Sequence, residues 1–380
     1  MKPIVIIGSG ISAYSVAREF RKINEKTPLH IISMDSADNY SKPMLSNALA
    51  NSKNATNLVM AESAKMAEQL SAKISANTLV HAIDTEKQTV NLASEVIPYS
   101  KLVLALGAKP IRLSINGDAA EQVLAVNNLT DYAKFRKAIK GKKDIVILGP
   151  GLIGCEFAND LVQNKFNVTV VGPDKYPLER MLPQAAGRHL QSELENLGIK
   201  FKLETTVEAI NFSESQLQLQ LADEVFLLKA DVVLSAIGLK SEVFLASEAN
   251  IIVNKGIVVD KTLQTSAENV YALGDCAEVN GLVLPYIMPI MNSARALAQT
   301  LSGNITEVSY PAMPVVIKTP ACPIAVASPA NESDGEWQID ENDEGVKACF
   351  YQSENLTGFV LTGERVSEKQ SLTKDLPAYF

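Results

Sequence analysis

Residues 4–17 read IVIIGSGISAYSVA, and residues 145–158 read IVILGPGLIGCEFA. Each copy opens with an apolar run of strand length, passes through two glycines separated by one residue, and continues with apolar residues at helical spacing. Strand, glycine turn and helix in that order meet the physical needs of a bound dinucleotide. The first glycine permits the tight turn, and the second lets backbone N–H groups approach a pyrophosphate. The third position, Ala13 in one copy and Gly154 in the other, must be small so that helix and strand pack closely. Phosphate charge then rests on the helix N-terminus.

Each copy extends into a full unit. The first is followed by LHIISMD, a second strand expected to end at Asp35, about 20 residues past the turn, where an acidic side chain reaches ribose hydroxyls. The second is followed by NVTVV and then Gly172-Pro173-Asp174-Lys175, which matches neither the acid expected for NAD nor the arginine expected for NADP. KLVLALGAKP at 101–110 and ADVVLSAIGLK at 230–240 are apolar strands that each end in a glycine turn, one closing each unit. TSAENVYALGDCAEV at 265–279 runs a further strand into Gly274-Asp275 and has no twin. The expected fold is α/β, with two Rossmann-like dinucleotide-binding units and two different dinucleotides.

Composition bounds the function. A chain of 380 residues has room for two or three domains. Hydrophobic residues at 47% and charged residues at 21% fit an ordinary folded protein. A net charge of −8 argues against a general binder of nucleic acid or anionic membrane. Glycines break the first apolar run too early for a signal peptide, and no stretch of about 18 apolar residues occurs. Cys155, Cys276, Cys322 and Cys349 show neither C-x-x-C nor zinc spacing, and His30, His81 and His189 lie in separate elements. No G-x-S-x-G is present. A soluble, reducing, cytoplasmic setting is expected, without metal, and a bound cofactor must carry any chemistry.

The combination of GxGxxA near the start, a central GxGxxGxE and a late strand ending in Gly-Asp resembles the two-dinucleotide-fold flavoproteins, the pyridine nucleotide-dependent disulfide and iron–sulfur reductases, over essentially the whole chain. YSKPMLS, LIGCEFANDL, VYALGDCAEV, YIMPIMNSARALAQTLSGN and VIKTPACP look specifically like the rubredoxin reductases of alkane-oxidising bacteria. The resemblance implies a glutathione-reductase-like arrangement. A discontinuous FAD domain would span 1–112 and 243–310, an NAD(H) domain 113–242, and a small α+β interface domain 311–380. FAD would rest on Gly8, Ser9, Gly10, Ile11 and Ser12, with Ser33, Met34 and Asp35 beside its adenosine ribose. Most relatives carry the longer glutamate where Asp35 stands. Val80 would contact the adenine side through its backbone, and Asp275 the ribityl chain.

Lys42 and Lys318 would bring positive charge to the flavin, and the helix beginning near Ile287 would add its N-terminal dipole. NADH would bind Gly149, Gly151, Leu152, Ile153 and Gly154, with Glu156 near the contact of the two rings. The absence of an arginine cluster favours NADH over NADPH. Electrons would pass from NADH through FAD to rubredoxin, supplying an alkane hydroxylase. No cysteine lies in Lys42–Ser46, so dithiol exchange is not expected, nor an NADH oxidase or peroxidase built on a cysteine there. Cys276 reads as a small buried residue.

Two other readings stay open on sequence: a reductase of a [2Fe–2S] ferredoxin for an oxygenase, and a flavin-binding regulatory protein without catalysis. Beyond residue 311, PVVIKTP, WQID, VKACFYQ and LTGFVLTG predict a small antiparallel sheet. ESDGEWQIDENDEG reads as a solvated hairpin turn and strand edge, and Trp337 as core or sheet surface.

Overall fold

Strand Ile4–Ile7 has all four residues buried and runs through Gly8 into helix Ile11–Ile23, whose inner face is Ala13, Tyr14, Val16, Ala17 and Phe20. The structure, a computed structural model, describes residues 1–222, 227–329 and 334–380. Ile4–Ile7 is the centre of a five-stranded parallel sheet, in the order Val270–Ala272, Lys101–Leu104, Ile4–Ile7, Leu29–Ile32, Ala72–Ser75. The three inner strands are largely apolar, with His30 buried in one and Lys101 at the start of another, because both faces of a parallel sheet are covered. Helix Ile11–Ile23 and helix Ile287–Leu301 pack together. Each fully buried Ile or Leu in such a layer contributes about 1.5–3 kcal/mol.

The second stretch repeats the plan. Strands Lys200–Lys202, Asn167–Val171, Asp144–Leu148 and Val232–Ser235 form a four-stranded parallel sheet, and helix Leu152–Gln163 follows the central strand. The strands read as closing each unit pair with its central strand in register, Ile4 beside Lys101 and Ile145 beside Val232. Beyond Gly107 and Gly238 the chain makes a short antiparallel pair, Ala108–Pro110 with Leu239–Ser241. These strands carry the two crossings between the sheets.

A third sheet is antiparallel, in the order Val315–Ile317, Ile324–Ala327, Asn355–Thr362, Gly345–Gln352, Glu336–Asn342. Helix Lys369–Asp375 follows it. The expected small α+β unit is present, with strand Ile324–Ala327 added to those read from sequence. Within the acidic tract, Glu336–Asn342 is an exposed edge strand as expected, and residues 332 and 333 lie outside the described residues. Trp337 packs edge-on against Phe350 at 5.2 Å on the sheet surface. Leu45 and Leu49, helix Leu152–Gln163 and strand Ile324–Ala327 share one buried core, so the second and third sheets meet there, joined by the segment after Lys42. Among the described residues, no helix is long and apolar enough to cross a membrane.

Candidate functional site

The two glycine turns have the same geometry. Gly8 sits at φ +118°, and a Cβ there would lie 2.2 Å from the Ala105 carbonyl oxygen. Gly149 sits at φ +103°, with the Ala236 carbonyl oxygen 2.8 Å from the same place. Only glycine combines that backbone with so close an approach. Gly10 and Gly151 differ: each stands at the N-cap of its helix, and no atom lies within 4 Å of where a Cβ would be. No side chain caps either helix, so first-turn N–H groups face open space at the position a pyrophosphate needs. Both turns fit a dinucleotide. A Cβ on Gly154 would meet the Gly149 carbonyl oxygen at 2.0 Å, while buried Ala13 takes that place in the first unit.

Asp35 departs from its expected place. The strand stops at Ile32, and Asp35 stands three residues beyond it because its carboxylate organises the turn. Asp35 Oδ1 accepts from Ser9 Oγ at 2.9 Å, from Ser33 Oγ at 2.6 Å and from the Ala37 N–H at 2.9 Å. The Ser9 and Ser33 hydroxyl oxygens lie 2.8 Å apart, so either can donate to the other in place of Asp35. The glycine turn and the end of the second strand are thus stitched together by one carboxylate oxygen. Met34 beside it is 76% exposed, whereas Val80 is buried at the start of strand Val80–Asp84.

The late Gly-Asp element closes on the same cleft. A Cβ on Gly274 would lie 2.1 Å from Ser12 Oγ, and Ile290 of helix Ile287–Leu301 comes next at 4.0 Å. Ile11 opens one helix and Ile287 the other, so two helix N-termini converge beside Asp275. Lys42 opens a 3-10 turn, Lys42–Asn47. Burial pulls the Lys42 ammonium down from its ordinary range, against the opposing pull of Asp275 and Asp131. Burial pushes the Asp275 carboxyl up, with Lys42 opposing. Lys42 and Asp275 thus feel each other's charge across one cleft.

Glu156 and Lys318 lie far apart in sequence and meet here. Glu156 is 1% exposed on helix Leu152–Gln163. Its Oε2 lies 3.1 Å from Lys318 Nζ and accepts the Ser46 hydroxyl; its Oε1 accepts the Lys318 N–H at 2.9 Å. Lys318 Nζ also donates to the Pro43 carbonyl and to Ser46 Oγ. Lys318 follows strand Val315–Ile317 of the third sheet. One buried cluster thus joins the segment after Lys42, the helix of the second glycine turn and the third sheet.

The sequence reading set Asp174 aside, with Gly172-Pro173-Asp174-Lys175, as matching neither nucleotide pattern. It stands three residues past strand Asn167–Val171, just as Asp35 stands past Leu29–Ile32. The intervening Gly172 is required because a Cβ there would lie 2.2 Å from the Pro150 ring, in the glycine turn itself. Aligning the two copies at their strand ends would have found Asp174. Leu152 is half-buried and Ile153 38% exposed on the helix rim.

The four cysteines are buried and unpaired. Burial pushes the Cys155 thiol up, and the Cys276 thiol up to about 11, so neither supplies a thiolate at neutral pH. Among the described residues, no group of three or more His, Cys, Asp or Glu side chains can hold a metal ion.

Residues 2–300 match the model of the pyridine nucleotide-disulphide oxidoreductase family, and residues 307–376 match that of a rubredoxin binding C-terminal domain. The chain is 47% identical to a rubredoxin–NAD(+) reductase of Alcanivorax borkumensis over 100% of this chain and 99% of that one. It is 45% identical to a rubredoxin–NAD(+) reductase of Acinetobacter baylyi over 99% of this chain and 98% of that one. In fold it is similar to a crystal structure of a ferredoxin reductase from Rhodopseudomonas palustris, with a TM-score of 0.89, 22% identity, and 99% and 96% of the two chains covered. Two dinucleotide cradles without a redox cysteine pair, followed by a third sheet matching a rubredoxin-binding domain, place the chain in the pyridine nucleotide-disulphide oxidoreductase family and, within it, among the rubredoxin–NAD(+) reductases.

Proposed function

We propose that this chain is the flavoprotein that takes electrons from NADH and hands them to rubredoxin. The observation that carries the reading is the Glu156–Lys318 cluster, in which the unit matched as rubredoxin-binding reaches the junction between the two dinucleotide cradles. The division into 1–112 with 243–310, 113–242, and 311–380 is supported by the crossing strands Ala108–Pro110 and Leu239–Ser241.

FAD fits the first cradle. Gly8, Ser9, Gly10, Ile11 and Ser12 would hold its pyrophosphate, Ser33, Met34, Asp35 and Val80 its adenosine end, and Asp275, Lys42, Ile287 and Lys318 the other end. Bound there, it supplies the exchange between a two-electron donor and a one-electron acceptor. Gly149, Gly151, Leu152, Ile153 and Gly154 would orient NADH, and Asp174 would accept from its adenosine ribose. Glu156 holds Lys318 in place rather than moving a proton, because both its oxygens are already occupied by donors. Burial pulls the Lys42 ammonium down while Asp275 and Asp131 oppose, so a ligand that gains negative charge in the cleft would help the ammonium hold its proton. The four cysteines are buried and unpaired, which disfavours a competing dithiol route.

The reading favours rubredoxin over a [2Fe–2S] ferredoxin because full-length identity and the third-sheet match both point to rubredoxin, whereas the ferredoxin reductase shares the fold. Four unpaired buried cysteines suit a reducing cytoplasm, and an alkane hydroxylase is the downstream use that the sequence motifs imply. Anaerobic titration of the FAD-loaded protein tests the nucleotide assignment. One equivalent of NADH should bleach the flavin's visible absorbance, with NADPH much slower. A flavin that NADH cannot reduce would return the chain to the non-catalytic reading.

A further inference from the structure

The unit matched as rubredoxin-binding is tied to the rest of the chain at both of its ends, and both ties meet at Tyr310. Tyr310 stands near the start of the matched residues 307–376, and past helix Lys369–Asp375 the chain returns to it. The Tyr379 N–H donates to the Tyr310 carbonyl at 2.8 Å, and the Tyr310 N–H donates to the Phe380 carbonyl at 3.1 Å. The rings of Tyr310 and Phe380 lie 4.9 Å apart, and Lys261 Nζ stands 5.4 Å from the centre of the Phe380 ring. Tyr379 and Phe380 both pack on the core of the first sheet, although the helix before them packs on the third.

The contact continues toward the flavin site. The Tyr310 hydroxyl and Ser293 Oγ are bonded at 2.6 Å, and Ser293 is buried on helix Ile287–Leu301, whose N-terminus faces the cleft beside Asp275. Burial, and after it Tyr379, push up the hydroxyl of Tyr286, the N-cap residue of that helix. Ordering an irregular segment costs conformational entropy, which here is offset by two main-chain bonds, a ring pair and a cation–π contact. On its other side the unit shares a buried core with the second sheet, and His189 of helix Gln184–Asn196 bonds Thr362 at 2.7 Å. The Tyr310 contact anchors it on the first sheet as well and so constrains its angle.

We propose that Tyr379 and Phe380 form an aromatic clasp on Tyr310 that sets the orientation of the rubredoxin-docking unit relative to the flavin cleft. They are positioning residues for electron delivery and take no part in NADH oxidation. The inference rests on reading residues 307–376 as the rubredoxin dock.

The test is a Tyr379→Ala/Phe380→Ala double variant of the FAD-loaded protein. Flavin bleaching by NADH should stay within about twofold of the parent, while the KM for rubredoxin rises about tenfold at nearly constant kcat. Amide hydrogen exchange should quicken in 345–362 and stay unchanged in 144–148, since only the docking unit gains freedom. Tyr379→Phe with Phe380→Tyr should restore both. Unchanged KM and unchanged exchange would overturn the clasp, and so would a parallel loss of NADH reduction, which marks general damage. If the parent protein does not reduce rubredoxin, the dock reading fails, and the exchange arm alone decides whether the clasp holds the third unit. Should the double variant not fold, Phe380→Leu removes the ring contacts while keeping bulk, and the same two readouts apply.

Discussion

Lys318 Nζ lies 3.1 Å from Glu156 Oε2, a pairing between the third sheet and the helix of the second glycine turn. Glu156 is all but inaccessible, and it also accepts from the Ser46 hydroxyl and the Lys318 N–H. A buried carboxylate is tolerated only with such partners. The pair therefore fixes how the third unit sits on the first two.

Removing the cation should be costly. Lys318→Met leaves Glu156 buried with two neutral donors and should destabilise the fold by about 2–3 kcal/mol, below the range for fully buried pairs because Lys318 keeps 33% of its side chain exposed. Denaturant unfolding checks this. Adding Glu156→Gln should recover part of the loss, and a double variant no better than Lys318→Met would contradict the pairing.

Gly10 and Gly154 should fail in different ways. Gly10→Ala places a methyl in open space at φ −72°, so the apoprotein should keep its stability within about 0.5 kcal/mol while FAD content falls sharply. Gly154→Ala drives a Cβ to 2.0 Å from the Gly149 carbonyl oxygen and should lower the melting temperature itself. Fluorescence titration with FAD and a thermal melt separate the two.

Asp174 should set nucleotide choice. Its place at the strand end matches that of Asp35, and a carboxylate there repels a 2′-phosphate while accepting from a 2′-hydroxyl. Asp174→Asn should lower the ratio of kcat/KM for NADH over NADPH about tenfold, through a higher KM for NADH. A ratio that does not move would transfer the role elsewhere.

Two buried groups should oppose each other in acid. Asp160 is 2% exposed and accepts from the Leu49 and Ala50 N–H groups at 3.0 and 2.7 Å, yet burial pushes its carboxyl up to about 6. The folded chain holds that proton more tightly than the unfolded one. The resulting stability is full below the ordinary carboxylate range and lost as pH rises to about 6. His30, bonded to Ser75 at 2.8 Å, runs the other way: burial and then Lys73 pull it down to about 4. Its stability is full above about 6.5 and lost as pH falls toward 4. Each shift corresponds to about 3 kcal/mol. Relative to the parent, Asp160→Asn should lose stability as pH falls from 6 to 4, and His30→Gln should gain it; melting temperatures across that window test both signs.

The glycine turns were legible because the backbone they need excludes nearly every other residue, as the Ala105 and Ala236 carbonyls show. Helices Ile11–Ile23 and Leu152–Gln163 followed from helical spacing after the glycine turns, and Ile287–Leu301 from the family resemblance. Strand Ile324–Ala327 was not read, since its four buried residues carry no alternation to mark them. Gly172 looked like a departure from pattern because the neighbour that demands it, Pro150, is close only in the fold. Lys318 could be assigned positive charge in an apolar strand, but not a partner: Glu156 reaches it only once the third sheet packs on the helix of the second glycine turn.

The most direct test reduces the FAD-loaded protein anaerobically with NADH, then mixes it in a stopped-flow instrument with oxidised rubredoxin or, separately, with an oxidised [2Fe–2S] ferredoxin. The account predicts rapid bleaching of rubredoxin and a much slower change in the ferredoxin, with Lys318→Met slowing the rubredoxin step more than the NADH step. Rapid ferredoxin reduction with rubredoxin left oxidised would contradict it, leaving the two cradles in place and the partner wrong.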